Sequence, residues 1–484
     1  MLANPLPEIL VTVTDPQVAA GGAAWCERFD PRPLPAVRKL TADAGEAPFF
    51  DRVWLRLRQA ASRRSLGNVA VLGLGSAIGQ GLVVLASPIL TRFYDPHDFG
   101  LFGSFNAIVT TIIAASTLMF HQAIVIEEAD RDSVTSTALC LSVATSFALA
   151  STGGALLLYG WLTSIFGPGV AVSLCWLGPI SILAAALFVT LQSVCIRRQW
   201  FKPLALYQVV RSALVVIFQL SLWIIWPNLY GLIIGQLLGQ VLALLVLARV
   251  WPFLVEAVSA TRHLGAMRHI AVRYSHFAIY GAPQSVLNSL SGNVPTLLLT
   301  GFFGANETGL FWLAYRMLIL PNQVLVESMR SVLFQRLNEV HLSGESMQPM
   351  MRKAALQLAM LCGPIALILL AFGPALFAWV FGPNWARAGT DAQILAISWM
   401  LGNVSVPASI GAVILGLQRS YFFLELTMLG VRAIGICIGA LLNSSSVALI
   451  LFSAAAATSS VLLMAMVTVA DRKNPTATAK RGEN

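Results

Sequence analysis

Residues 87–102 read SPILTRFYDPHDFGLF. They form the turn between the first two long apolar runs. A fainter copy lies further along the chain. Pro88 leads through Arg92 and Asp98 to Gly100-Leu101-Phe102, and Pro295 leads through Glu307 to Gly309-Leu310-Phe311. Each copy has a proline late in one apolar run, a short polar turn, an acid two residues before glycine, and Gly-Leu-Phe opening the next run. The pattern reads as two similar membrane bundles in one chain.

Composition agrees. Charged residues make up 11% of the 484-residue chain and hydrophobic ones 57%, with a mean hydropathy of +0.75. A soluble chain of this length needs far more charge to wet its surface. Apolar runs recur from residue 66 onward, each long enough to cross roughly 30 Å of hydrocarbon as a helix. The net charge of +9 fits basic loops that orient helices better than it fits nucleic-acid binding. The cysteines form no CxxC pair and sit almost entirely in apolar runs, so they read as small buried hydrophobes and not as a metal or disulfide framework.

Twelve spans are expected, near 66–90, 100–123, 134–158, 169–191, 204–226, 229–249, 276–300, 309–334, 354–380, 391–417, 420–442 and 446–470. The domains that follow are 1–65, a disordered extension ending in a basic amphipathic surface helix; 66–249, a six-helix bundle; 250–275, a linker; 276–470, a second six-helix bundle; and 471–484, a basic tail. The extension shows no secretory signal. Its last part, FFDRVWLRLRQAASRR, suits anionic headgroups, though a basic flank that merely orients the first span explains it as well. With cytoplasmic termini, inside loops carry Arg197, Arg198, Lys202, Arg262, Arg268, Arg273, Arg336, Arg352, Lys353 and Arg419, and outside turns carry Arg92, Arg387 and little else. That alternation is the positive-inside pattern of an inner-membrane protein.

Three echoes relate the halves. Gly100 and Gly309 are 309 − 100 = 209 apart; Phe166-Gly167-Pro168 and Phe381-Gly382-Pro383 are 381 − 166 = 215 apart. Trp200-Phe201 before Val210-Arg211 matches Tyr421-Phe422 before Val431-Arg432, with 421 − 200 = 221. Each falls at the same place in its half. Six spans per half keep both halves in one orientation. The fold expected is an all-α polytopic membrane protein, two six-helix bundles related by a parallel pseudo-two-fold repeat.

The same residues carry a resemblance. Ser87-Pro88-Ile89-Leu90-Thr91-Arg92 with Phe99-Gly100-Leu101-Phe102, and His121-Gln122-Ala123-Ile124-Val125, resemble bacterial polysaccharide biosynthesis proteins of the oligosaccharide-flippase type. Ala314-Tyr315-Arg316 with Leu320-Pro321, and Phe381-Gly382-Pro383-Asn384-Trp385, look like later parts of that family's pattern. The resemblance covers about residues 66–470 and omits the extension. It implies membership of the multidrug/oligosaccharidyl-lipid/polysaccharide exporter superfamily, a central cavity, alternating access, and a glycan on a polyprenyl pyrophosphate as cargo for surface or exopolysaccharide synthesis.

Ionisable groups within spans cost on the order of 2.5–3.5 kcal/mol at a helix centre, so they should face water or a partner. Arg211, Arg316 and Arg432 lie roughly 10 to 18 Å deep at 1.5 Å per residue. They are the candidate pyrophosphate ligands, because a guanidinium presents a fixed fork of donors and stays charged; the plain alternative is structural pairing between helices. Arg432 and Glu425, seven apart, are expected to be too distant for direct contact. Arg92 is a gate contact or pairs with Asp95 or Asp98. Gln284, Asn288 and Asn293 line a sugar path or bond to neighbouring helices. Glu327 and Glu425 are the candidates for coupling to H+ or Na+, ahead of His121 and His276, which read as structural. Pro283, Pro295 and Pro321, with Gly281, Gly292 and Gly301, are expected to bend spans seven and eight.

The function expected is a flippase for a lipid-linked oligosaccharide, working with glycosyltransferases and a polysaccharide polymerase. It needs no cofactor or metal and is not an enzyme. An organic-cation exporter of the same fold is the first alternative, though cationic cavity residues oppose it. A membrane glycosyltransferase or glycan polymerase is the second, but no extramembrane loop outside the extension carries paired carboxylates, and no nucleotide loop or nucleophile triad is visible.

Overall fold

The computed structural model describes residues 64–127, 129–261 and 264–472. The expected extension and surface helix up to residue 63, Arg262, and the tail beyond Arg472 lie outside them. The chain divides into a leading unit, Met1–Gly67, and a large unit, Asn68–Asn484, that holds the bundles.

Every regular element among the described residues is helical. The first bundle is built from α1 (Arg64–Phe93), α2 (Pro96–Ala115), α3 (His121–Ile126), α4 (Asp130–Leu157), α5 (Tyr159–Phe166), α6 (Pro168–Arg197), α7 (Phe201–Trp223) and α8 (Leu229–Ala243). Helices α9 (Trp251–Ala260) and α10 (Leu264–Arg273) pack on α4 and lead to the second bundle. That bundle contains α11 (Ala282–Leu342), α12 (Gln348–Phe381), α13 (Ala386–Val404), α14 (Val406–Ile414), α15 (Gln418–Leu441) and α16 (Ser445–Arg472).

Ten helical stretches among the described residues are long and apolar enough to cross a bilayer. Helix α11 runs for 61 residues but turns at Gly304 (φ 81, ψ 177), and its two arms stand where spans seven and eight are expected. The described backbone of α11 leaves helical φ/ψ there and keeps it at Pro295 and Pro321, while a π-helical turn, Phe277–Gly281, precedes Pro283. Gly304 has no Cβ to oppose a positive φ, so the glycine takes the turn. The expected second span is also interrupted. Helix α2 stops at Ala115, the Ser116 hydroxyl bonds back to the Ile113 carbonyl at 2.8 Å, and Leu118 and Met119 take φ 45 and 61 before α3 begins.

The repeat is present in backbone detail. Gly167 (φ 81, ψ 163) and Gly382 (φ 106, ψ 162) share a conformation, and each precedes a proline: Pro168 opens α6, and Pro383 opens the short 3-10 turn that leads into α13. The acids two residues before the seam glycines share a role too. Asp98 accepts a hydrogen bond from the Leu229 N–H at the start of α8, and Glu307 accepts one from the Ser445 hydroxyl, 2.7 Å away, at the start of α16. Negative charge at a helix N-terminus is favourable. The third echo is out of step. Helices α7 and α15 begin 418 − 201 = 217 residues apart, not 221, so Arg432 lies about one turn, some 6 Å, further into its helix than Arg211 does.

Small residues set the packing within each bundle, as they do between helices in lipid. A Cβ on Gly235 would come within 2.7 Å of Gln219 and one on Gly239 within 2.5 Å of Val215, which holds α7 against α8. Gly435 and Gly439 do the same for α15 against Leu451 and Ala448 of α16.

The buried apolar core is divided. One cluster joins both bundles at the end that carries the α1–α2 turn, from Leu90, Phe99 and Phe105 to Phe311, Trp385 and Phe452. At the opposite, basic end each bundle has its own cluster: Phe120, Leu191, Tyr207 and Ile270 in the first, Leu337, Met351, Ile410 and Val467 in the second. The bundles are thus sealed together at the turn end and separately cored at the basic end.

Candidate functional site

The seam begins at Gly100 and Gly309. A side chain on Gly100 would collide with the Ala305 carbonyl, and one on Gly309 with the Pro96 carbonyl. This closeness brings Gly103 against the indole of Trp312, 2.8 Å from a Cβ position to Cδ1. Phe99 and Phe102 pack on the same indole, with ring centroids 5.9 and 5.6 Å away. The guanidinium carbon of Arg316, one turn on, lies 4.8 Å from the Trp312 ring centroid, within the range of cation–π attraction. The Gly-Leu-Phe turn of the first half therefore fixes Trp312, and Trp312 fixes Arg316.

Arg211, on α7, is near enough for its charge to act on Arg316. Both are partly buried, and the Arg211 Nε has no hydrogen-bond partner. Neither arginine forms an ion pair among the described residues. Like charges in a partly desolvated setting repel each other, and an anion that binds both relieves the repulsion.

Arg432 faces a different setting. Its Nη2 lies 3.6 Å from Glu425 Oε2, although seven residues of helix were expected to keep the pair apart. The two turns rise about 10.5 Å, and two long side chains leaning toward each other along one face close that gap. The Ser459 hydroxyl donates to the other Glu425 oxygen at 2.9 Å. Arg432 Nε is buried without a partner, and Tyr315, next to Arg316, feels its charge. Tyr421 feels both Arg432 and Arg330. Arg330 is exposed, with Nη2 3.4 Å from the Ser409 hydroxyl. It was not singled out in the sequence, yet 330 − 316 = 14 residues is about four helical turns from Arg316, and that spacing was readable.

The other candidates are placed as follows. Arg92 is exposed and pairs with neither Asp95 nor Asp98. Gln284 and Asn288 are exposed on the first arm of α11 and bond to none of the described residues. Asn293 crosses to α2, donating to the Thr110 and Thr111 hydroxyls at 3.1 and 3.3 Å. The Glu327 side chain lies outside what the structure describes. His121 Nδ1 is 2.9 Å from the Thr117 hydroxyl in a local contact.

The turn end of the seam is closed by Trp385 of the Phe-Gly-Pro-Asn-Trp stretch. Its Nε1 donates to the Thr91 carbonyl at 2.9 Å, and Phe99 meets its ring edge-on at 5.1 Å. At the basic end an ion-pair cluster ties the linker to the first bundle. Arg273 approaches Glu127 at 3.5 Å and Asp132 at 4.0 Å, while Arg197 binds Asp130 at 2.9 Å and the Glu127 carbonyl. Burial raises the Tyr274 phenol above its ordinary value, and its hydrogen bond to Glu127 adds to this.

Fold and seam define a polytopic α-helical membrane protein of two bundles, the architecture of transporters. An inward-facing multidrug-resistance MATE family transporter of the MOP superfamily matches with a TM-score of 0.62 at 13% identity, over 84% of this chain and 99% of that one. The lipid II flippase MurJ, in an inward closed conformation, matches with 0.61 at 11% identity, over 84% and 88%. Residues 89–389 match the model of the polysaccharide biosynthesis protein family, and the chain belongs to that family. It is also similar to the succinoglycan biosynthesis transport protein ExoT of Rhizobium meliloti (strain 1021), 21% identical over 325 residues. The matched region is 66% of this chain and spans 63% of that relative's length.

Proposed function

We propose that the chain carries a polyprenyl-pyrophosphate-linked oligosaccharide across the bacterial inner membrane by alternating access, for surface or exopolysaccharide synthesis. The basic end faces the cytoplasm and the turn end the periplasm. The observation that carries this reading is Arg316, seated on Trp312 at the seam within reach of the Arg211 charge, with neither arginine in an ion pair among the described residues. A pyrophosphate offers the doubly charged, multidentate acceptor that such a pair lacks. Separate cores at the basic end leave the two bundles free to part there and admit the carrier's headgroup. Arg432, Gln284 and Asn288 are proposed further along the path, Arg92 at its outer mouth, and Glu425 or Glu327 as the group that exchanges H+ or Na+. Glycosyltransferases supply the cargo and a polysaccharide polymerase consumes it; the protein itself breaks no covalent bond.

The test is transport by purified protein in proteoliposomes, with a fluorescent polyprenyl-pyrophosphate sugar in one arm and a lipophilic organic cation in the other. Movement of the sugar lipid between leaflets supports the reading. Movement of the cation alone contradicts it and favours a multidrug exporter.

A further inference from the structure

The turn between α6 and α7 lies at the basic end of the first bundle, roughly 15 Å of helix before Arg211. Arg198 caps α6, and Gln199 takes φ 56. The Trp200 N–H then donates to the Cys195 carbonyl at 2.8 Å, a helix-closing bond that folds the indole back over the end of α6. The Arg198 guanidinium carbon lies 5.4 Å from the Trp200 ring centroid and 5.1 Å from that of Phe253. The Arg249 guanidinium carbon lies 5.0 Å from the Trp200 ring centroid. One indole thus holds two guanidiniums. Both arginines are exposed, and neither is in an ion pair among the described residues. Lys202, exposed, adds a third positive charge nearby.

The second bundle makes the same turn without this arrangement. There Gly416 takes φ 70, and the Leu417 N–H donates to the Ala412 carbonyl at 2.8 Å. Leu417 stands where Trp200 does, and Arg419 lies over Phe423 of its own helix at 6.0 Å. The fold requires the turn but not the paired arginines. The first bundle even accepts a left-handed residue that is not glycine to make it, a conformation that L side chains rarely adopt.

What lies alongside points to the ligand. On α8 and the turn that follows it, Leu238, Val241, Leu242 and Leu245 form an exposed apolar strip leading up to Arg249. Cationic groups above an uncovered apolar strip match the two parts of a phospholipid, and an indole is favoured at headgroup level. We propose that Arg198, Trp200 and Arg249 form a headgroup site for an anionic phospholipid of the leaflet at the basic end. The phosphodiester sits between the guanidiniums and the acyl chains lie along the α8 strip. This site does not depend on what the seam transports.

The experiment titrates delipidated full-length protein in detergent with phosphatidylglycerol or phosphatidylcholine and reads binding by native mass spectrometry. Phosphatidylglycerol is expected to bind more tightly. The double variant R198Q/R249Q, with an unchanged thermal melt, should lose about tenfold or more of that affinity, since each basic group near an anionic headgroup contributes substantially, and should bind phosphatidylcholine as before. Unchanged phosphatidylglycerol binding, or no preference in the native protein, overturns the proposal. Should the double variant not fold, photoactivatable phosphatidylglycerol on the native protein decides: label at residues 198–202 and 245–253 supports the site, and label only elsewhere overturns it. Labelling of this turn by the polyprenyl pyrophosphate carrier in place of phosphatidylglycerol overturns it as well.

Discussion

Gly100 and Gly309 lie against each other across the seam, and each does to the other's helix what the other does to its own. A Cβ on Gly100 would stand 2.9 Å from the Gly309 nitrogen, and one on Gly309 would stand 2.9 Å from the Gly100 nitrogen. Pro96 and Ala305, whose carbonyls they crowd, are themselves 305 − 96 = 209 apart. Such reciprocal contact is what a two-fold axis produces at the point it passes through. The axis of the repeat therefore runs between these two glycines, where backbone meets backbone.

Gly100→Ala tests this directly. The added methyl group has no room, so α2 and α11 must separate at a cost of about 1–3 kcal/mol. The thermal midpoint of the detergent-solubilised protein should fall. Gly81→Ala, which meets nothing within 4 Å, should leave it equal or raise it, because Ala favours helix over Gly by roughly 0.5–1 kcal/mol.

Trp385→Phe keeps a ring beside Phe99 but removes the donor to the Thr91 carbonyl. Leaving a buried acceptor unpaired costs about 1–3 kcal/mol. The turn end should open more often, and a cysteine placed at Thr91 should react faster with a membrane-impermeant maleimide in the variant. Equal labelling rates would show that this bond does not hold the turn end shut.

Arg432 and Glu425 should show modest coupling. Their side chains are 18% and 39% exposed; if that exposure is to the water of the proposed path, the pair is screened, and a double-mutant cycle on thermal stability should give an interaction of about 1 kcal/mol or less. A value near 4 kcal/mol would mean that this pair is dry and structural, and would remove Arg432 from the proposed path.

Arg316→Met should separate stability from binding. If Arg211 and Arg316 oppose each other in the empty protein, replacing one with an apolar side chain of similar length should raise stability by about 1–3 kcal/mol. The same change should weaken binding of inorganic pyrophosphate about tenfold or more, since a hydrogen bond to a charged group contributes roughly 1.5–3 kcal/mol. Loss of both stability and binding would make Arg316 a structural residue.

The sequence carried the fold because lipid admits few alternatives. Long apolar runs must be helices, and the bias of arginine in the loops counts them. The motif glycines were legible for the same reason: a repeated Gly-Leu-Phe after a polar turn has to serve the same junction twice. Side-chain partners were less legible. That Arg432 reaches Glu425 over two turns depends on rotamers, which spacing alone does not give. That Trp312 carries Arg316 depends on Gly103, two hundred residues away. The break at Ser116–Phe120 lies in apolar sequence with no proline or glycine to announce it, and the 221-residue echo misled by one turn because helix starts, not sequence matches, set the register.

The most direct test of the central claim is the sidedness of the lipid-linked oligosaccharide in cells carrying Arg316→Ala at normal protein level. Spheroplasts treated with a membrane-impermeant glycosidase report which leaflet holds the sugar. The expected result is accumulation of protected, cytoplasm-facing glycan in the variant and digestible glycan in cells with the native protein. Equal digestion in both would contradict an anion-binding seam at Arg316.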